Sequence, residues 1–355
     1  MAWTAPETLT AGAAKRGAER LDRLWRRGRE FLGTRYAIMG GAMTWVSERT
    51  LVAAISEGGG FGVLACGAMK PDRLAEEIRA TFARTKKPFG VNLIVMHPEL
   101  DGLVDACLAE KVGHVVLAGG LPSNAVVRKL KDGGAKVMTF LPAASVAKKL
   151  IRSGIDAFIT EGAEAGGHIG VVSTSVLAQE ILPSVREVPV FVAGGIGRGE
   201  AIASYLEMGA AGCQLGTRFV CATESIAHPN FKQAFIRAAA RDAMPSQQLD
   251  PRFPVIPVRA LVNKATERFL HTQREIIDRF NRGEIAKDEA QLAIEHFWAG
   301  ALRRAVIDGD VETGSLMAGQ SVGMVTREQP IAEILEELVG QAAQALAGRD
   351  QIGEA

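Results

Sequence analysis

The sequence lacks a pronounced excess of either charge. Its 355 residues include 41 lysines and arginines against 40 aspartates and glutamates, a formal net charge of +1. Aromatic residues are also scarce, at 6% of the chain. Nucleic-acid-binding proteins usually combine a basic excess with aromatic side chains on which bases stack. We therefore expect no nucleic-acid partner.

Long apolar runs and paired cysteines are missing too. No run of about 18 apolar residues occurs, and the N-terminal residues lack the apolar core of a secretory signal. Free thiols are typical of a reducing compartment. We expect a cytoplasmic protein with no membrane partner. The cysteines form no C-x-x-C pair, the pattern that would indicate a zinc site or a redox dithiol. The four cysteines are Cys66, Cys107, Cys213 and Cys221.

Eight short apolar runs, separated by longer segments with helical periodicity, dominate the sequence up to residue 216. They are rich in Val, Ile and Phe with little polar alternation, as is typical of parallel strands buried on both faces. Eight such repeats predict an α/β fold of the (β/α)8 TIM-barrel type. An open doubly wound sheet fits less well, because no G-x-G-x-x-G follows the first run. The predicted strands are 36–39, 61–65, 89–95, 114–118, 136–140, 157–160, 190–193 and 212–215.

The change of pattern along the chain predicts four parts. Residues 1–30 are expected to form an N-terminal extension. A basic amphipathic helix at 20–31 is expected to pack on the barrel or at a subunit interface, with membrane or nucleic-acid contact as the alternative. The barrel occupies residues 31–225. An additional, mainly helical segment after strand eight, residues 226–300, is expected to lie over the barrel mouth on the substrate side. Residues 301–355 form a C-terminal segment that returns to the barrel.

The loop after the sixth predicted strand reads EGAEAGGHIG, residues 161–170. Active sites of (β/α)8 barrels lie at the C-terminal ends of the strands, so this loop is a candidate site. Its glycines permit a sharp turn close to a flat ligand, and His168 at its tip is able to transfer protons near neutral pH. Glu161 and Glu164 either orient the imidazole, bind a cation or are merely exposed carboxylates.

Glycines also follow the last two predicted strands. Gly194 and Gly195 come after strand seven, and Gly216 and Thr217 come after strand eight. Phosphate sites recur at these places in (β/α)8 barrels, where backbone N–H groups face the anion. The sequence therefore predicts a phosphate-binding site there, with a pair of tight structural turns as the alternative.

Two further places favour contact with a flat ring. The loop after the first strand, GGAMTW at 40–45, has small residues that let a ring lie against the backbone. Asn92, at the end of strand three, is a polar side chain in an apolar run and is able to hydrogen-bond the edge of such a ring. A purely structural role is the alternative for each.

Signatures of several other enzyme classes are absent. The sequence contains no H-E-x-x-H, no G-x-S-x-G elbow and no P-loop, which argues against zinc proteases, α/β-hydrolases and P-loop kinases. We expect no metal centre formed by histidines. The remaining histidines show no metal-ligand spacing and are expected to be structural: His97, His114, His228, His271 and His296.

Several of these motifs together resemble one family. AGGH within the loop at 161–170 is similar to the motif of the nitronate monooxygenase (2-nitropropane dioxygenase) superfamily. TRFV at 217–220, ESIAHPNFK at 224–232 and MAGQ at 317–320 resemble its flavin-containing enoyl-acyl carrier protein reductase II branch. The likeness runs from about residue 36 to about residue 346.

The resemblance implies a barrel with non-covalently bound FMN and with NAD(P)H as electron donor. It also implies a monovalent cation, for which no ligands are assigned. His168 matches the family's active-site histidine. Two departures concern Gly40, where the family often has glutamine, and Ile169, where nitronate monooxygenases commonly have arginine. The cofactor-binding residues that the resemblance implies are Gly41, Ala42, Met43, Asn92, Gly167, Gly194, Gly195, Gly216, Thr217 and Gln320.

The implied activity is NAD(P)H-dependent reduction of 2-enoyl thioesters. Hydride passes by way of FMN to the β-carbon, while His168 or a water that it holds supplies a proton to the α-carbon. The substrate is a small molecule, carried on acyl carrier protein or CoA, and the family suggests a homodimer. The alternatives are oxidation of alkyl nitronates with O2 by a nitronate monooxygenase, and NAD(P)H:quinone reduction.

Overall fold

Eight parallel strands form a closed barrel in the computed structural model, which describes residues 11–298 and 300–352. The strands are β1 (Ile38–Gly40), β2 (Gly62–Ala65), β3 (Phe89–Ile94), β4 (His114–Ala118), β5 (Lys136–Phe140), β6 (Ala157–Glu161), β7 (Val190–Ala193) and β8 (Gly212–Leu215). From β2 onward each strand pairs with the next, and β8 pairs with β1. Phe61 completes the circle, since its N–H donates to Ile38 O at 2.8 Å and its carbonyl accepts from Gly40 N at 2.9 Å. The predicted (β/α)8 fold is confirmed, with strand bounds that differ from the prediction by at most two residues.

The N-terminal ends of the strands are closed by Phe31, the last residue of the helix predicted at 20–31 and the first residue assigned to the barrel. The Phe31 ring packs against His114 of β4 and Phe191 of β7, with ring centroids 5.5 and 6.2 Å apart. Its carbonyl oxygen accepts hydrogen bonds from His114 Nε2 at 3.0 Å and from Lys136 Nζ at 2.6 Å. Side chains of three different strands can contact the same residue only if they point into the barrel. His114, Lys136 and Phe191 therefore point inward.

Helices cover the outside of the barrel. The predicted helix at 20–31 is interrupted at Trp25, so two helices form instead of one. The C-terminal helix packs against both the first helix and the helix after β7. Gly17 in the first helix lets the two backbones approach, since a Cβ there would lie 2.2 Å from Ala343 O. The helices are α1 (Ala11–Leu24), α2 (Arg26–Leu32), α3 (Arg49–Glu57), α4 (Pro71–Arg84), α5 (Leu100–Ala109), α6 (Asn124–Asp132), α7 (Ala147–Ser153), α8 (Thr174–Ile181), α9 (Gly199–Glu207), α10 (Thr217–Val220), α11 (Pro229–Arg237), α12 (Lys264–Asn281), α13 (Lys287–His296), α14 (Ala301–Val306) and α15 (Ile331–Ile352).

The segment predicted to be mainly helical contains α11, α12 and α13, and it also contributes to a small antiparallel sheet that the sequence did not predict. Strands Ala243–Pro245 and Val258–Leu261 pair with each other, and the second pairs with Gly167–His168 of the sixth βα loop. These strands have two to four residues, too few to show an alternating pattern. A separate apolar cluster around Phe253 and Phe269 holds α12 and α13 together.

The predicted boundaries at residues 30, 225 and 300 remain predictions. Residues 1–10 of the extension and 353–355 of the C-terminal segment lie outside the described part of the chain. In that part, no helix is both long enough and apolar enough to cross a membrane. No three His, Cys, Asp or Glu side chains among the described residues are grouped so as to hold a metal ion. All four cysteines are buried and unpaired.

Candidate functional site

The C-terminal ends of β1 and β8 bring two predicted binding segments into contact. Gly41 N donates to Leu215 O at 2.8 Å, and a Cβ added to Gly41 would lie 3.5 Å from Gly216 Cα. A Cβ added to Gly216 would lie 3.5 Å from Met43 Sδ. The segment expected to touch a flat ring therefore lies directly beside the segment expected to bind a phosphate.

Ser47, which sequence reasoning missed, fixes the shape of the loop after β1. Its hydroxyl donates to Gly41 O at 2.8 Å and accepts from Met43 N at 3.0 Å. Trp45 in the same loop has a φ of 70°, a backbone conformation that is uncommon for a residue other than glycine. Ala42 and Met43 are left half-buried at the barrel mouth. A serine four residues beyond a methionine carries no sequence signal that would have identified this role.

The loop after β6 presents His168 at the barrel mouth. Gly167 has a φ of 80°, and the pair Gly167–His168 lies in register with Arg259 and Val258. The Arg259 guanidinium donates through Nε to Ala163 O at 2.8 Å, which attaches the base of the loop to the small sheet. The imidazole is accessible and has no hydrogen-bond partner among the residues that the structure describes. Desolvation by its surroundings nevertheless lowers the pKa of His168 below its ordinary value, which favours the neutral imidazole at neutral pH.

Glu164 connects this loop with two others. Its Oε2 accepts from the backbone N and the hydroxyl of Thr174, at 2.7 and 2.9 Å. The same hydroxyl lies 3.1 Å from Gly194 O. A Cβ added to Gly195 would meet Glu164 Cβ at 2.8 Å. The sequence left open orientation of the imidazole, cation binding or plain exposure for Glu164, whereas the structure shows its carboxylate bonded to Thr174 and not to the imidazole.

The MAGQ segment packs against the His168 loop backbone to backbone. A Cβ added to Gly166 would lie 2.6 Å from Gly319 N, and Gln320 N donates to Glu164 O at 2.9 Å. Gly319 N donates to Thr217 Oγ1 at 2.9 Å. Gln320 is thereby placed beside the loop that carries His168. The Thr217 hydroxyl only accepts in this bond, so its O–H and the backbone N–H of Thr217 both remain as donors for a ligand.

Backbone donors are present where a phosphate was predicted. Gly194 and Gly195 adopt φ values of 99° and 71°, a region that favours glycine. The N–H groups of Gly194, Gly195 and Thr217 form no hydrogen bond with another described residue. Unpaired backbone N–H groups converging at strand ends suit a phosphate dianion. These residues fit the predicted phosphate group.

Three polar side chains form a floor beneath the mouth: Asn92 of β3, Glu161 of β6 and Gln214 of β8. Because Phe191 points inward and side chains alternate along a strand, Ala193 points inward too. Glu161 and Gln214 are both in register with Ala193 and share its face. Asn92 is in register with Val116, which lies two residues after the inward-facing His114 and so also points inward.

None of these three side chains bonds another described residue, although Asn92 and Gln214 are each only 7% exposed. Buried polar groups normally have partners. Unpaired amide and carboxyl groups that face one space fit a flat heterocycle with several polar edge atoms, such as the predicted flavin ring.

The fold and this site define a (β/α)8-barrel enzyme that works at the C-terminal face of its strands. The sequence model of the nitronate monooxygenase family matches residues 27–107 and 99–341. The chain belongs to the nitronate monooxygenase family and is an oxidoreductase.

Three similar proteins illustrate the range of the family. The structure of FabK from Thermotoga maritima is 36% identical, with a TM-score of 0.82 over 92% of this chain and 98% of FabK. A relative from Mycobacterium tuberculosis is 29% identical over 87% of this chain and 94% of its own length. Its name is (3aS,4S,5R,7aS)-5-hydroxy-7a-methyl-1-oxo-octahydro-1H-indene-4-carboxyl-CoA dehydrogenase. The nitronate monooxygenase of Paraburkholderia phytofirmans is 28% identical over 89% of this chain and 94% of its own length.

Proposed function

We propose that the protein is an FMN-dependent oxidoreductase that uses NAD(P)H to reduce 2-enoyl thioesters. The observation that carries this proposal is the packing of the His168 loop against MAGQ, with Gly166 held against Gly319. AGGH in the His168 loop is the motif of the superfamily, and MAGQ is one of the motifs that resemble its enoyl-acyl carrier protein reductase II branch. The 36% identity to FabK and the carboxyl-CoA substrate in the name of the mycobacterial relative support a thioester substrate.

FMN would be held mainly by the loops that follow β1, β7 and β8. The N–H groups of Gly194, Gly195 and Thr217, next to Gly216, would bind its phosphate. The remaining contacts would come from Gly41, Ala42 and Met43 against the ring, and from Asn92, Gly167 and Gln320 around it. When bound, FMN supplies hydride transfer from NAD(P)H to the β-carbon of the thioester.

His168 would supply the proton at the α-carbon, either directly or through a water that it holds. A neutral imidazole carries one N–H donor and one acceptor nitrogen, so it is able to give its proton to the α-carbon while the acceptor nitrogen takes up a proton from solvent, which leaves the ring neutral. The loop that presents it is fixed by Arg259 at its base and by Glu164 at its centre. Turnover would therefore not require this loop to reorganise.

An apolar rim beside His168 would receive the acyl chain. Val171 is 88% exposed and Ile256 is 61% exposed, and the two segments meet where Ile169 N donates to Pro257 O at 3.0 Å. Acyl carrier protein or CoA would bind beyond this rim. The homodimer, the monovalent cation and the cytoplasmic location remain predictions from the sequence.

Oxidation of alkyl nitronates is the second candidate function, favoured by the likeness to the nitronate monooxygenase of P. phytofirmans. One experiment separates the two. NADPH or NADH is added anaerobically to the FMN-loaded protein, followed by crotonyl-CoA or a longer enoyl thioester. Bleaching of the flavin and enoyl-dependent reoxidation support the reductase. If neither nucleotide bleaches the flavin while propyl-2-nitronate drives oxygen uptake, the reductase proposal is wrong.

A further inference from the structure

Glu161 is a carboxyl group with no partner at the centre of the site. It is the last residue of β6, it points into the barrel, and no described residue donates a hydrogen bond to it. Glu161 is in register with the apolar Ala193 on β7, and Ala193 is in register with Gln214 on β8, whose amide carries no charge. On β5, Phe140 pairs with Ile159, two residues earlier in β6. A carboxyl in such a place needs either a counter-charge or a proton.

No cationic side chain in the described part of the chain supplies that counter-charge. Lys136 on β5 lies at the opposite end of the barrel, where it bonds Phe31 O. The Arg259 guanidinium donates to the carbonyl oxygens of Ala163 and Ala243. His168 is the nearest basic side chain along the loop, and its own lowered pKa keeps it neutral. Although Glu161 is partly accessible from the mouth, desolvation alone raises the pKa of its carboxyl to about 8.

We infer that Glu161 contacts the flavin ring as a neutral carboxylic acid and donates a hydrogen bond to an acceptor atom of the ring. This inference rests on the proposed FMN site. Such a donor stabilises the electron-rich reduced ring, whereas the ionised carboxylate would oppose reduction by placing negative charge beside it. Glu161 therefore tunes how readily the flavin accepts hydride, and its ionisation reverses that effect.

The test compares the FMN-loaded wild-type protein with Glu161→Gln, whose amide keeps the shape and a donor but does not ionise. The visible absorption spectrum and the reduction potential are recorded from pH 6 to 9.5. The wild-type spectrum is expected to shift with a single midpoint near pH 8, and Glu161→Gln is expected to lose that shift. The wild-type potential should fall more steeply with pH above the midpoint, because reduction then takes up one additional proton.

A matched control and a second variant complete the design. Glu180→Gln, on the exposed side of α8, should retain the wild-type spectral shift. Glu161→Asp keeps an ionisable group and should retain a spectral shift with a moved midpoint. This variant provides the test if circular dichroism shows that Glu161→Gln folds poorly. The inference is overturned if the wild-type spectrum is constant over this range, or if either Glu161 variant titrates like the wild type. A protein that binds no FMN would instead overturn the proposed function.

Discussion

Glu164 Oε2 accepts two hydrogen bonds from Thr174, one from its backbone N at 2.7 Å and one from its hydroxyl at 2.9 Å. The carboxylate belongs to the loop that carries His168, and Thr174 begins α8. The Thr174 hydroxyl also lies 3.1 Å from Gly194 O, in the loop predicted to bind phosphate. One buried hydroxyl thus connects the predicted acid–base loop with the predicted phosphate loop.

Replacing Thr174 by valine should loosen both loops. Valine keeps the shape of threonine but leaves Glu164 Oε2 with one donor fewer, at a cost of about 1–3 kcal/mol in the free energy of unfolding. We expect FMN to bind roughly tenfold more weakly, since about 1.4 kcal/mol corresponds to a factor of ten. Urea unfolding and FMN titration measure the two effects.

Thr160→Val is the matched control for this change. Thr160 is equally buried, but its hydroxyl has no hydrogen-bond partner within residues 11–298 and 300–352. Removing an unsatisfied polar atom should leave stability unchanged or raise it. Equal losses in Thr160→Val and Thr174→Val would contradict the role given to the Glu164–Thr174 contact.

His168→Gln should separate the chemistry from cofactor binding. No described residue bonds the imidazole, so its removal should leave folding and FMN binding intact. Loss of a proton-transferring group should reduce turnover by about 10²- to 10⁴-fold. His271→Gln, on the exposed face of α12, should behave as wild type. Turnover of His168→Gln within a factor of two or so of wild type would remove His168 from the mechanism.

The pH dependence of turnover gives a second test of the role of His168. Because its pKa is lowered, the imidazole remains neutral as the pH falls through the ordinary range of histidine. The activity that depends on neutral His168 should therefore persist below about pH 6.5 and decline only at lower pH. A decline centred above about pH 6.5, absent from His168→Gln, would contradict this assignment.

The main features of the fold could be predicted because each barrel strand is an uninterrupted apolar run. Such runs as HVVLA at β4 are buried on both faces, and their order along the chain dictates their order around the barrel. His168, Gly194 and Gly216 could be selected because glycine-rich loops at strand ends stand out from these runs.

The contacts that hold the loops of the candidate site in place could not be predicted, since they depend on distances between loops that are far apart in sequence. Ser47 and Thr174 are ordinary residues whose partners become visible only in three dimensions. Thr217 was correctly placed at the end of β8, yet its hydroxyl bonds Gly319, 102 residues further along. The inward direction of Glu161 follows from the register of β6 with β7, which composition does not reveal.

His114 should make the protein sensitive to acid. Burial lowers its pKa to about 4, and because a carbonyl only accepts, the neutral ring must carry its proton on the Nε2 that faces Phe31 O. Between about pH 6.5 and 4 the unfolded chain binds a proton that the folded chain does not, so stability falls as the pH falls. The loss should reach about 3 kcal/mol at pH 4.

His114→Gln isolates this contribution. The glutamine amide is able to donate to Phe31 O but does not titrate. Urea unfolding at pH 7, 5.5 and 4.5 should show a smaller loss of stability in His114→Gln than in wild type, while His271→Gln should follow wild type. Parallel curves for wild type and His114→Gln would show that this imidazole does not govern acid stability.

Gly166→Ala tests the contact between the His168 loop and MAGQ on which the proposed function depends. The added Cβ would lie 2.6 Å from Gly319 N and 2.7 Å from the Ala318 carbonyl carbon, so one backbone must move. Overpacking of this kind costs about 1–3 kcal/mol, and we expect a lowered melting temperature with a fall in kcat larger than any change in FMN affinity. Gly170→Ala adds the same methyl group in the same loop, where nothing lies within 4 Å, and should be nearly neutral. If both variants retained wild-type kcat, the close packing of these two loops would be unnecessary for turnover.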